Sequence, residues 1–235
     1  MNKLQEKSLY DGLKAGFPIV IGYVPIGMAF GLLARNVGVP FGENCLFSIL
    51  VFAGASQFMA LDLLRAGIAT GDIVLATFLL NLRHMVMSAS LAARLNNINK
   101  KWLPFIAFGI TDETFSVASL HEGKLTAAFL LALNGISYGA WIGGTATGYV
   151  VGTILPETVQ ISLGVGLYAM FTAILTPEIK KSMAALTLAG LSGFTYIALD
   201  ALKFFPDGWK LITAIIIGST AGPFLLKDSC EGDKI

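Results

Sequence analysis

Charge is what this chain has least of: only 13% of its 235 residues are acidic or basic, against 55% hydrophobic. A soluble domain carries roughly twice that charged fraction, ~25%. Too little polar surface remains to cover a soluble globule, and a mean hydropathy of +0.73 points to an integral membrane protein. A formal net charge of +1 says nothing about nucleic acid, and no nucleic-acid partner is expected. The two cysteines, Cys45 and Cys230, suggest neither a disulfide framework nor a metal site. With two histidines and no His-rich or His-Glu helix motif, no metal and no other cofactor is expected, and a membrane-embedded enzyme is disfavoured. No phosphate-binding loop of Walker type is visible, so uphill work would draw on an ion gradient or on another chain. No loop is long enough to hold a soluble catalytic domain.

What the chain does have is long apolar segments. Crossing about 30 Å of hydrocarbon takes roughly 20 residues. The candidates are Gly16 to Ala34, Cys45 to Leu64, Ile73 to Leu95, Trp102 to Leu120, Ala127 to Leu155, Val159 to Leu175, Met183 to Leu202 and Lys210 to Leu226. The expected fold is an all-α, polytopic membrane helix bundle of about seven spans, between six and eight. It forms a single transmembrane domain over 1–235, with a polar, uncleaved leader at 1–15 and a polar tail at 227–235. Trp102 to Leu120 is interrupted by Asp112 and Glu113, and Ala127 to Leu155 is long enough to tilt or to break at its glycines. Pro18 and Pro25, beside Gly16, Gly22 and Gly27, predict a kinked or broken first helix whose freed carbonyls need partners. If every segment spans, lysine and arginine counts favour an inside N-terminus by a small margin. Arg94, Lys100 and Lys101 then fall outside, an anomaly that vanishes if an earlier segment is re-entrant.

Glycine is plentiful, 26 residues, and most of it lies within apolar runs, where it permits close helix contact. A shift of about 117 residues aligns Gly22, Gly27, Ala29 and Gly31 with Gly139, Gly144, Ala146 and Gly148. That is a candidate two-fold internal repeat, or two tight helix contacts. The copies are parallel if Trp102 to Leu120 spans and inverted if it does not.

Three polar constellations interrupt the apolar sequence. The first is Asn81-Leu82-Arg83-His84. An arginine at the centre of a span costs about 2.5 to 3.5 kcal/mol even on lenient scales, so an ionisable group there marks a site or a pathway. Thr77, Asn81, His84 and Ser88 share one helical face, whereas Arg83 lies about 100° from His84. Either Arg83 pairs with a neighbouring helix, such as one carrying Asp112 or Glu113, or the chain unwinds there. The second is Thr111-Asp112-Glu113-Thr114. Two adjacent acids at membrane depth are expensive if both ionise, so one should load and release a proton. The alternative is that Thr111 or Asp112 caps a half-helix starting at Thr114, with acids in its first turn. The third is Phe52-Ala53-Gly54-Ala55-Ser56-Gln57-Phe58, which reads as a packing corner with Gln57 as a donor and acceptor.

These motifs, with Gly12 through Pro18, Gly27 and Gly31 ahead of Leu32-Leu33-Ala34, and Ser88 through Leu91, resemble the AzlC/YgaZ family, the large subunits of bacterial branched-chain amino acid exporters. Met87 stands where an aromatic is often seen, and Leu167-Tyr168 where many members carry an acidic-aromatic pair. The resemblance implies a multi-pass protein of the bacterial cell membrane that exports branched-chain or similar neutral amino acids with a small AzlD-type membrane subunit. A zwitterionic substrate needs a cation or helix N-terminus for its carboxylate, for which Arg83 or the half-helix at Thr114 would serve. Asp112, Glu113 or Gln57 would accept from its ammonium. Met85, Met87 and Phe115 would face its side chain, and the Asp112/Glu113 pair would carry a coupled proton. A passive channel and a non-transporting scaffold subunit are the alternatives.

Overall fold

The computed structural model describes residues 3–95, 98–156, 158–160, 162, 172, 175–176, 179–180, 183–202, 213–214, 216–218 and 220. In chain order the described helices are α1 (Lys3–Val37), α2 (Phe41–Leu50), α3 (Gly54–Arg65), α4 (Thr70–Ala92), α5 (Leu103–Phe108), α6 (Asp112–Leu120), α7 (Ala127–Val151) and α8 (Met183–Leu202). Short 3-10 turns lie at Lys100–Trp102 and Gly152–Ile154. No strand occurs among the described residues. Among the described residues three helical stretches, Glu6–Val37, Thr70–Ala92 and Ala127–Ile154, are long and apolar enough to cross a membrane. Most of the predicted segments Val159 to Leu175 and Lys210 to Leu226, and the pair Leu167-Tyr168, lie outside the described residues.

The chain gathers into two compact units. Met1–Leu61 and Asn81–Leu167 form the first, Asp62–Leu80 and Tyr168–Ile235 the second.

In the first unit α1 and α7 lie side by side and run parallel. Gly12 meets Phe129 and Ala132, Gly16 meets Leu133 and Ile136, Gly27 meets Trp141 and Gly144, and Gly31 meets Thr145 and Tyr149. A Cβ on Gly27 would stand 2.9 Å from the Trp141 carbonyl oxygen, and one on Gly144 2.7 Å from that of Val24. One on Gly148 would run into the backbone of Met28. Only hydrogen fits between backbones this close, which is the small-residue packing expected of membrane helices. The glycines matched by the sequence shift, Gly27 with Gly144 and Gly31 with Gly148, are thus neighbours across one seam. Gly22 and Gly139 have open space. Pro18 and Pro25 sit inside α1 without breaking it, and α7 likewise runs unbroken past its glycines. Of the kinked or broken first helix expected, the break is corrected: α1 is continuous through both prolines and keeps contact with α7 along its length.

Two other segments differ from straight spans. Cys45 to Leu64 is interrupted at Val51–Ala53 and folds back. Along α2 the contacts pass from Phe41 on Tyr149, through Ser48 on Thr145, to the Ile49 carbonyl, which accepts from the Tyr138 hydroxyl at 2.7 Å. Along α3 they climb again, from Gly54 under the Trp141 ring to Phe58 beside Phe30. Gln57 donates to Ser48 at 3.3 Å across the resulting hairpin. Trp102 to Leu120 is interrupted as expected, at Gly109–Thr111. Here α5 rises beside α7 and α6 descends from Thr111, near Tyr23, to His121, which stacks on Phe129. The two hairpins therefore enter from opposite ends of the α1–α7 pair, and their tips lie about 58 residues apart in sequence. A long helix followed by a folded-back hairpin occurs twice, in opposite senses.

Backbone groups freed at the tips find side chains, as they must in an apolar interior. Asn134 donates to the Ile106 carbonyl at 3.1 Å, and Thr114 to that of Gly109 at 2.9 Å. Each tip carries a glycine where an α7 side chain presses in, Gly54 under Trp141 and Gly109 under Asn134. At the end of α1, Gly38 has φ +90°, a left-handed cap that returns its N–H to the Arg35 carbonyl at 3.0 Å.

In the second unit α8 places Thr187 and Thr195 with hydroxyls donating to carbonyls one turn back, at 2.9 and 2.7 Å. Gly218 lies against Ser192.

Gly148→Val should force α1 from α7 and cost roughly 1–3 kcal/mol or more through overpacking. The expected readout is a lower thermal midpoint of detergent-solubilised protein, with Gly139→Val close to wild type. Equal midpoints for the two variants would contradict the seam.

Candidate functional site

α4 carries Arg83 without unwinding, and its guanidinium crosses to the first turn of α6. Arg83 Nη1 stands 2.8 Å from Asp112 Oδ2, with the two side chains 34% and 26% exposed. Of the two alternatives open in the sequence, the neighbouring-helix ion pair is the one adopted. The pair spends one guanidinium nitrogen. The buried Nε has no hydrogen-bond partner among the described residues, so the cation keeps donor capacity beside its counter-ion.

Glu113 takes a different partner. The hydroxyl of Tyr23, a residue only 5% exposed, donates to Glu113 Oε2 at 2.5 Å and stands 2.7 Å from the Thr111 hydroxyl. His84 lies within electrostatic reach of Glu113 and Arg83. Asn81, one turn earlier on α4, accepts from Ser56 at 2.5 Å. Arg83, His84, Asp112 and Glu113 thus gather around the tip of the second hairpin, with Tyr23 of α1 among them, while Asn81 meets the first hairpin at Ser56.

The half-helix expected from Thr114 begins two residues earlier, at Asp112, and Thr111 is its N-cap. Thr111 Oγ1 accepts from the Thr114 N–H at 3.3 Å, while Thr114 Oγ1 accepts from the Thr111 N–H at 2.8 Å. The reciprocal pair places both acids in the first turn, where the helix dipole favours negative charge. It also occupies one amide that a substrate carboxylate would otherwise use. At the other end of α6, Arg94 donates to the carbonyls of Ser119 at 2.6 Å and His121 at 2.7 Å. Arg83 on α4 and Arg94, two residues past its end, clasp the two ends of α6.

Gln57 is not part of this group. It is fully buried, accepts from Trp141 Nε1 at 2.8 Å and donates to Ser48, which stands 2.9 Å from the Thr145 hydroxyl. It ties the first hairpin to α7, as a packing corner would. Met85 points outward, 66% exposed, so it does not line an inner pocket. An apolar depression of about 500 Å³ lies instead between α5 and α7, lined by Phe105, Phe108, Gly109, Leu131, Asn134 and Tyr138. Tyr23, Ser56 and Trp141 escaped the sequence reading, because an aromatic or a serine in an apolar run looks like any other packing residue. Among the described residues no cluster of His, Cys, Asp and Glu suits a metal ion.

Residues 18–155, from the first proline of α1 to just past α7, match the family described as AzlC protein. An uncharacterised membrane protein of Archaeoglobus fulgidus is 36% identical over 96% of this chain and 97% of its own length. The inner membrane protein YgaZ of Escherichia coli is 29% identical over 88% of this chain and 86% of its own. The branched-chain amino acid transport protein AzlC of Bacillus subtilis is 25% identical over 92% and 87% respectively. No solved structure shows a significant match. The family match encloses both hairpins and every residue around Arg83, and the archaeal relative aligns almost end to end; this chain belongs to the AzlC family of membrane proteins.

Proposed function

We propose that the chain is the large subunit of a proton-coupled exporter of branched-chain or related neutral amino acids, working with a small AzlD-type subunit in the cell membrane. The observation that carries this reading is the Arg83–Asp112 pair, 2.8 Å long, at a hairpin tip part-way along the apolar α1–α7 pair. A charge pair in such a place marks a substrate or ion path, and the name of the Bacillus relative supplies the class of cargo. Interrupted helices at membrane depth are typical of transporter sites, and here two hairpins converge from opposite ends. Arg83, with Nε to spare, would hold the substrate carboxylate. Asp112 would balance the cation, and the first turn of α6 would offer acceptors for the ammonium. The Asp112/Glu113 pair would carry the coupled proton.

Topology follows from charge. The ends of α1 and α7 that carry Ser8 and Thr126 lie together, and Arg94 joins that end by its contacts with Ser119 and His121. Lys7, Lys14, Arg94, Lys100, Lys101 and Lys124 then belong to one end, and in the first unit only Arg35 belongs to the other. By the positive-inside rule the basic end is cytoplasmic. With the first hairpin re-entrant, Arg94, Lys100 and Lys101 are no longer anomalous. The protein would be multi-pass with its N-terminus inside.

The alternative of a scaffold subunit draws on the same ion pair, read as a lock. Arg83→Lys separates the two, because lysine keeps the charge but not the planar fork. The expected result, in proteoliposomes holding the chain and its small partner, is a fall in labelled leucine or valine export of roughly tenfold, about 1.4 kcal/mol. Normal export would support the lock, and wild type moving none of valine, leucine, isoleucine or methionine would end the exporter reading. In a Cys45→Ser, Cys230→Ser background, a thiol reagent that cannot cross the membrane should label Glu43→Cys from outside and Lys101→Cys from inside. The reverse pattern would invert the topology.

A further inference from the structure

The two adjacent acids have unlike surroundings, and that difference divides their work. Asp112 has a full positive charge 2.8 Å away. Binding a proton there would break an ion pair and leave Arg83, already short of one partner, with a still emptier environment. Glu113 has no ion pair among the described residues. Its close partner is the neutral hydroxyl of Tyr23, which donates to Oε2. The other groups facing it are His84 and Arg83 of α4 and its neighbour Asp112. A carboxylate held by a hydroxyl gains a proton without stranding a cation.

The position of Tyr23 gives that proton a mechanical meaning. Its hydroxyl reaches Thr111, the cap of α6, as well as Glu113, so it ties the tip of the second hairpin to α1. Its ring stands edge-on to Phe52, at the tip of the first hairpin, with centroids 6.0 Å apart, and edge-on to Trp141 at 5.4 Å. One side chain therefore touches both tips. When Glu113 is ionised, Tyr23 donates to it and Thr111 can donate to Tyr23. When Glu113 takes its proton on Oε2, the oxygen that faces Tyr23, that oxygen becomes a donor and the Tyr23 proton turns towards Thr111. The Thr111 oxygen already accepts from the Thr114 amide. Protonation thus reverses one hydrogen bond and crowds the next, and both belong to the cap of α6.

Building on the proposed proton-coupled transport, we infer that Glu113, positioned by Tyr23, carries the coupled proton, that Asp112 is the fixed counter-ion of Arg83, and that the proton on Glu113 sets how tightly the second hairpin is tied to α1. Glu113 is the titrating group and Tyr23 the positioning residue.

The test uses the full chain with its small partner in proteoliposomes and reads the steady-state accumulation of labelled leucine, a thermodynamic end point that does not depend on rate. A gradient of about one pH unit supplies roughly a tenfold driving force per proton, so wild type exchanging one proton per leucine should concentrate it up to roughly tenfold. Glu113→Gln should let leucine equilibrate with an accumulation ratio near one. Tyr23→Phe, a smaller change, should lower the ratio as well. Asp112→Asn should slow movement yet keep the ratio. Accumulation by Glu113→Gln equal to wild type would overturn the assignment, as would loss of accumulation in Asp112→Asn with leucine still moving. If Glu113→Gln does not fold or moves nothing, Tyr23→Phe decides: an undiminished ratio there overturns the role of the pair. Wild type that moves leucine without accumulating it would defeat proton coupling itself, and wild type that moves none would defeat the exporter reading, so each failure is distinguishable from the others.

Discussion

The close approach of α1 and α7 is the constraint on which the first unit depends. Their backbones meet at Gly27, Gly31, Gly144 and Gly148, with no side chain between to act as a spacer. Lipid tails offer helices no hydrophobic gain from pairing, so this contact must be stabilised by dispersion at short range. Once it forms, the remaining positions of α7 are committed. Trp141 reaches Gln57, Thr145 reaches Ser48, and Asn134 reaches the Ile106 carbonyl. The helix that makes the seam also supplies donors for both hairpins.

The hairpins would be untenable without those donors. An interrupted helix in hydrocarbon exposes peptide groups at a cost of several kcal/mol each, and bonds from Tyr138, Asn134 and Thr114 to tip carbonyls offset it. The ionisable residues occupy the same neighbourhood for a related reason. The first turn of α6 is where the helix dipole favours Asp112 and Glu113, and an arginine on α4 is acceptable only where an acid meets it. Polar backbone, acids and Arg83 thus share one region, in which the buried Nε of Arg83 has no hydrogen-bond partner among the described residues.

Much of this was legible in the sequence, for definite reasons. Hydropathy and glycine placement identified a helical membrane protein and singled out the seam glycines, because small-residue spacing in an apolar run has few other uses. Thr111 followed by two acids reads as a helix start, and the true start differs by two residues. The Arg83 partner was legible as an alternative, since helical geometry turns Arg83 away from the Asn81 and His84 face. The first hairpin showed only indirectly, in the basic residues that a re-entrant earlier segment would reconcile and in the packing corner at Phe52 to Phe58. Val51–Ala53 contains neither glycine nor proline, and the apolar run through it looks continuous; its interruption depends on Trp141 and Tyr138, nearly ninety residues away in sequence. Pro18 and Pro25 left open a break that α1 does not make, because a proline's effect on a helix depends on what the helix packs against. Tyr23 had no local signal, as its role comes wholly from the neighbours the fold gives it.

Asn134 and Trp141 stand seven residues apart, two helical turns, and so project from nearly the same side of α7. One grips the second hairpin and the other the first. A slide of α7 along its own axis would drag both grips in the same direction, relieving one hairpin while straining the other, since the two enter from opposite ends. A turn of α7 about its axis would release both at once. The placement of these two residues would thus make an axial shift of α7 an antisymmetric displacement of the hairpins and a rotation a symmetric one.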